Sequence, residues 1–202
     1  SSHYFNFIVI KLCLCLQLGM VPMNGAGETY YGIWNTIPGG DSTPASPGSN
    51  VGNYYPGEEP YMAFDGVDPT IYTNFGYCTY SSFRCDCGIN TGVYFTPTRG
   101  LSSIQSFRFK TAGDIPPRDP MTVTLECSNA SSSLLTQGSS WTLIYSGTSG
   151  LEDIDPVPDR YKFGTMKYLS NTLWCLSYRI LVTSIRSDSD AVQYSELELM
   201  GY

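Results

Sequence analysis

Pro120-Met121-Thr122-Val123-Thr124-Leu125-Glu126 and, a polar interval later, Trp141-Thr142-Leu143-Ile144-Tyr145-Ser146-Gly147 are the runs that decide the fold class of this 202-residue chain. In the first run Met121, Val123 and Leu125 alternate with Thr122, Thr124 and Glu126, the period-two signature of a strand with one apolar and one wet face. The second is β-branched and aromatic and stops at the turn pair Ser146-Gly147. Between them Cys127-Ser128-Asn129-Ala130-Ser131-Ser132-Ser133 is polar and turn-forming, and Asn129-Ala130-Ser131 is an acceptor sequon for N-linked glycan in a secreted chain. Two such strands and their loop predict half-buried antiparallel sheet.

Similar patterns recur on both sides. Strands are predicted within residues 29–34, 89–95 and 101–110, where Phe107 and Phe109 alternate with Arg108 and Lys110. Residues 168–185 predict one or two more, and 193–200 the last. No long amphipathic helix and no internal repeat interrupts them. The length suffices to bury a core, and one β-sandwich with an appendage fits it better than two domains. Only 14% of the residues are charged, while Tyr, Gly, Ser and Thr abound, the composition of a secreted all-β protein. A net charge of −7 with 11 Lys and Arg leaves no basic stripe to neutralise phosphates and argues against a nucleic-acid partner. Seven cysteines point to an oxidising, extracellular compartment, and the odd count leaves at least one free or paired outside the chain. A start at Ser1, without Met, implies a chain processed or incomplete at its beginning.

Residues 1–20 read as an apolar, strand-forming arm in which Ile8, Ile10, Leu12, Leu14 and Leu16 recur at period two. A signal peptide is the plain alternative, weakened by the missing basic start and by Lys11 within the run. A membrane helix fits less well still, because the run is short and carries a charge. Burying these side chains does not by itself repay the backbone entropy of ordering the arm, so it needs main-chain pairing along a sheet edge. That edge belongs to its own sandwich or to a neighbouring copy, as in strand-donation pili. Residues 21–54 read as a connector with one strand. Their Pro/Gly/Ser/Thr-rich part, 36–53, resembles O-glycosylated stalk sequence, an unmodified surface loop being the alternative. Residues 55–202 read as the sandwich proper.

The run Ala63-Phe64-Asp65-Gly66, with Thr70 four residues after the glycine and Tyr72 beyond it, resembles the early loop of discoidin-like, galactose-binding-type jelly rolls. Arg118-Asp119-Pro120 leading into the Met121 strand, and the ending from Val192 through Ser195-Glu196-Leu197-Glu198-Leu199, are similar to the middle and end of that family. The resemblance covers about residues 55–202 and implies an antiparallel jelly-roll β-sandwich, here with an N-terminal extended strand arm. Asp65, Asp68 and Thr70 offer hard oxygen ligands on one tight loop that Gly66 lets bend, a calcium pattern whose alternative is an Asx turn with no ion. The resemblance adds Glu196 as the carboxylate completing a structural Ca2+ site. It also implies carbohydrate held by loops at one end of the jelly roll, with no binding residue assignable one by one.

Cys78, Cys85 and Cys87 lack zinc-knuckle spacing and predict disulfide chemistry, and Cys127 and Cys175, each beside a predicted strand, are a second candidate pair. Cys13 and Cys15 would share one face of a strand and not bond each other; one of them bonding a partner subunit would balance the count. A single histidine, His3, is poor material for a nucleophilic triad. The acidic pairs Glu58-Glu59 and Asp153/Asp155 read as solvated charge rather than glycosidase carboxylates, and no enzyme is predicted. Two functions stand. The first is a glycosylated extracellular structural subunit whose residues 4–17 complete the sheet of the next copy, giving a helical homopolymer. The alternative is a calcium-stabilised carbohydrate-binding module. A hydrolase or lyase is the weakest third.

Overall fold

Residues 120–126 lie in the second strand of the largest sheet of the computed structural model, which describes residues 19–25, 27–82, 84, 86–155 and 160–202. In chain order the longer strands are β1 (Tyr30–Trp34), β2 (Tyr72–Asn74), β3 (Thr91–Phe95), β4 (Ile104–Lys110), β5 (Pro120–Ser128), β6 (Thr142–Thr148), β7 (Ser177–Ile185), β8 (Val192–Tyr194) and β9 (Glu196–Gly201). A six-stranded antiparallel sheet runs β6-β5-β7-β3-β1 and ends on Thr43–Pro44. Two four-stranded sheets lie opposite it, one built on β9 and β4, the other on β8 and β2. Ser195 alone separates β8 from β9, so the smaller sheets act as one layer. Among the described residues no helix is long and apolar enough to cross a membrane.

The core forms where alternating side chains of the two layers meet. Val123 and Leu125 of β5 and Ile180 of β7 face Phe107 and Phe109 of β4 and Leu197 of β9. Each such side chain contributes about 1.5–3 kcal/mol on burial. Gly92 of β3 is forced by its neighbour, since a Cβ there would stand 1.8 Å from the Ile180 carbonyl oxygen.

Several expectations need correction. The polar face of β5 is not wet: Thr124, Glu126 and Ser128 are all buried. Residues 36–42 and 130–141 cover it, and a second cluster of Ile33, Tyr94, Leu135, Trp141 and Leu181 forms beneath them. Glu126 and Arg179 face each other across β5 and β7 and form an ion pair at 2.7 Å. Gly39 N–H donates to Glu126 Oε1, while Arg179 donates to Gly40 O and Ser42 Oγ and lies over the Trp141 ring. The loop read as stalk-like therefore packs, with Thr36 and Ser42 buried. Residues 21–54 are woven into the same sandwich: β1 pairs with β3, and Met23 sits in the core.

Cys78 bonds Cys87 and Cys127 bonds Cys175. Cys85, Cys13 and Cys15 lie outside the described residues, as does the stretch of the arm that holds Ile8, Ile10, Leu12, Leu14 and Leu16. Immediately after it, Val21 and Pro22 pair with Gly201 and Met200 of the same chain.

Candidate functional site

β4 and β7 end, and β5 and β8 begin, at one end of the sandwich, as the pairings Ile185 with Pro120, Glu196 with Lys110 and Val192 with Asn74 place them. The segments leaving that end enclose a cleft of about 180 Å³. Tyr55, Phe75 and Tyr80 form its aromatic wall, with ring centroids 6.0–6.3 Å apart. Phase and packing fix Phe75 in the core, whereas Tyr80 is 58% exposed. Glu58, Asp114, Ile115 and Arg118 form the other side.

The cleft is held rather than merely lined. Asp190 accepts Arg118 Nε at 2.9 Å and Nη2 at 2.7 Å through Oδ1, and Ser81 N–H at 2.9 Å through Oδ2. One carboxylate thus fixes both the arginine and the loop that carries Tyr80. Next to Arg118, Asp119 is fully buried and takes two bonds from Arg160 and one from Arg186. Ile115 has φ +37°, a left-handed conformation that is costly for a β-branched residue and that concentrates at functional sites.

The floor carries unspent polarity. Gln193 Oε1 is buried and has no hydrogen-bond partner. Thr73 Oγ1 likewise falls short of hydrogen-bond geometry, although it lies close enough to Glu58 to temper that group. Burial pushes the Glu58 carboxyl up, opposed by the Thr73 hydroxyl and the Arg118 charge, with Asp114 and Glu59 adding to the rise. Glu58, read from sequence as solvated, is half-buried at the cleft. Arg118 and Gln193 lie within stretches that carry the family resemblance, but nothing there marked them as cleft residues; for Tyr55 and Tyr80 the abundance of tyrosine was the one signal, and it gave no positions.

On the same end, Glu196 opens β9 opposite Lys110. Its carboxyl faces Asp65 and is pushed up to about 7, first by burial and then by the charge of Asp65, with Lys110 acting against the rise. Glu196 Oε1 is buried without a partner. Asp65 Oδ1 accepts Val67 N–H at 2.9 Å, the Asx turn weighed above, around a Gly66 at φ +71°. Thr70 Oγ1 lies 2.9 and 3.1 Å from the two Asp65 oxygens. Asp68 turns away and pairs with Lys110 instead. Of the four predicted ligands, Asp65, Thr70 and Glu196 are brought together and Asp68 is not. Two facing carboxylates, one with an orphaned buried oxygen, are a donor set that fits a hard cation.

Asn129 is exposed at the opposite end, where β5 ends and β7 begins. Its Nδ2 donates to Trp174 O, and its Oδ1 accepts from Leu176 N–H, both at 3.0 Å.

No protein-family model matches the sequence, and no curated protein does. Solved structures match the fold. The family 32 carbohydrate-binding module of NanJ from C. perfringens, in complex with galactose, aligns at TM-score 0.54 and 10% identity over 90% of this chain and 98% of its own. A CpGH89 module from Clostridium perfringens, in complex with GalNAc-β-1,3-galactose, aligns at 0.52 and 11% over 89% and 99%. The C-terminal domain of a chitobiase from Bacteroides fragilis aligns at 0.51 and 11% over 90% and 98%. The fold is the discoidin-like, galactose-binding-type jelly roll that the resemblance implied.

Proposed function

We infer that this chain is a carbohydrate-binding module, with the end cleft between Tyr80 and Arg118 as its ligand seat. The observation that carries this is the pairing of an exposed aromatic wall with a buried, unpartnered Gln193 Oε1 in a cleft fixed by Asp190. Such a site offers an apolar ring face a platform and a sugar hydroxyl an acceptor that otherwise stays unpaid. Support also comes from the fold neighbours, two of which hold galactose or a galactose-containing disaccharide. Galactose-type sugars are therefore the ligands to try first. The two disulfides suit an extracellular setting. The homopolymer loses its lead: strand donation rests on residues 4–17, outside the described residues, and no observation here favours it.

Calorimetric titration with galactose and GalNAc-containing oligosaccharides should show selective binding. Tyr80→Ala, at an exposed position, should weaken it roughly tenfold without altering the fold. Equal heats for every sugar, or an unchanged affinity in the variant, would refute the assignment.

The same reading gives Asp65, Thr70 and Glu196 a structural Ca2+, which would neutralise the carboxylate pair and pin the 65–70 turn to β9. Glu196 stands three residues after Gln193, so the ion would also steady the floor of the cleft. Without calcium the sign is set by Glu196, whose folded pKa of about 7 exceeds the ordinary 4.5. Its contribution is full below that lower value and is lost as pH rises through the upper one. In chelator, the unfolding midpoint should fall between these pH values, and Glu196→Gln should flatten the fall. Added Ca2+ should raise the midpoint of the natural protein at pH 8 but not that of the variant. Identical responses of the two proteins would sink the ion assignment and leave the sugar cleft standing.

A further inference from the structure

The end of the sandwich opposite the cleft carries an apolar surface that is exposed among the described residues. Leu173, Trp174, Leu176 and Leu101 are all exposed, Trp174 to 50%. The other tryptophans are engaged: Trp34 meets the Tyr77 ring, and Trp141 donates Nε1–H to Leu135 O beneath Arg179. Trp174 has neither a ring contact nor an Nε1 hydrogen bond among the described residues. The surface is rigid, because Cys175 is bonded to Cys127 and its backbone pairs with Ser102. It is also uncharged in a chain of net charge −7: residues 100–107, 127–140 and 168–177 contain no Asp, Glu, Lys or Arg.

The sequon stands at its edge. Asn129 Nδ2 lies 3.0 Å from the Trp174 carbonyl oxygen and its Oδ1 3.0 Å from Leu176 N, so whatever is joined to that nitrogen begins at the main chain of the segment that carries Leu173, Trp174 and Leu176. An amide nitrogen has two hydrogens. One goes to Trp174 O, and the other is available for replacement. Ser131 is exposed; its carbonyl accepts Leu134 N–H, and its hydroxyl, the group the sequon needs, meets only that of Ser133.

We propose that Asn129 is N-glycosylated and that its first sugars lie over Trp174, Leu173 and Leu176 as a covalent cover for this apolar end. In the transfer, the C1–O bond to the diphosphate of an activated glycosyl donor breaks and the C1–Nδ2 bond forms. One amide proton leaves, and the diphosphate departs with the electron pair. The C–H face of an N-acetylhexosamine suits the electron-rich indole face, and its hydroxyls present a wet outer surface. A cover at this end leaves the opposite cleft open. The placement rests on the sequon and the patch, not on the sugar-binding reading.

The test is secretion of the full chain from eukaryotic cells, with Ser131→Ala as the sugar-free reference because it removes the sequon and leaves both Asn129 hydrogen bonds. Peptide mapping should find hexosamine on Asn129. The glycosylated protein should unfold about 2–4 °C higher than S131A, and acrylamide should quench its tryptophan emission less. Trp174→Ser, at an exposed site, should keep the glycan and abolish the difference between the glycosylated and S131A backgrounds. An unmodified Asn129, or a difference that survives Trp174→Ser, would overturn the proposal. So would capture of the glycosylated protein by phosphatidylcholine vesicles, since the patch would then be a membrane face.

Discussion

Replacing Asp190 with alanine is expected to destabilise the fold by about 3–5 kcal/mol, because it strands a buried guanidinium without its partner. Arg118 is 8% exposed and Asp190 3%, so water offers little compensation. The loss reaches the cleft by a second route. The carboxylate also holds Ser81 N–H, and without it the loop that presents Tyr80 keeps the Cys78–Cys87 bond and Tyr80 N–H to Ser49 O but loses its link to the Arg118 side of the cleft. Small displacements of a binding wall are costly, and ligand affinity should drop roughly tenfold or more. Asp190→Asn keeps the shape and loses the charge, so it should fall between alanine and the natural protein on both scales. Thermal unfolding with calorimetry on the preferred sugar reads the two effects separately. A D190A protein that melts and binds like the natural one would show that this carboxylate organises nothing.

The difference between what the residues announce and what they conceal is clear in β5. The alternation of Met121, Val123 and Leu125 with Thr122, Thr124 and Glu126 specifies a strand and its core-facing side, since period two separates the faces of a sheet. It is silent on what lies over the polar side. Glu126 is buried there only because Arg179, 53 residues later, meets it in register and residues 36–42 close above both. A polar residue at a strand position looks the same whether its partner is water or a distant side chain. The candidate site divides in the same way. Asp65, Gly66 and Thr70 are local and legible, because one tight turn carries them. Tyr55, Tyr80, Arg118 and Gln193 come together only through the antiparallel pairings of β2, β5, β7 and β8, and no local spacing encodes that. Asp68 shows the limit from the other direction: its spacing suits a ligand, yet Lys110 is nearer and claims it.

The Glu126–Arg179 pair supplies the complementary test, at a place where stability and binding should part company. Glu126→Leu should cost about 3–5 kcal/mol, read as a lower urea midpoint at unchanged slope. It removes the acceptor of Arg179 Nε and of Gly39 N–H at once and leaves a fully buried cation over Trp141. Adding Arg179→Met should return part of that loss, because two apolar side chains need no partners while one buried charge does. Recovery should stay incomplete, since Gly40 O and Ser42 Oγ lose the guanidinium that now bonds them. The cycle therefore predicts strong coupling between the two positions, and simple additivity would mean that the pair is not what holds residues 36–42 down. Glu126 lies toward the end of β5 away from the cleft. The folded variants should thus keep the sugar affinity of the natural protein, whereas Asp190 variants lose it. If both ion pairs moved affinity alike, the cleft would be responding to global stability and not to the geometry of Arg118 and Tyr80.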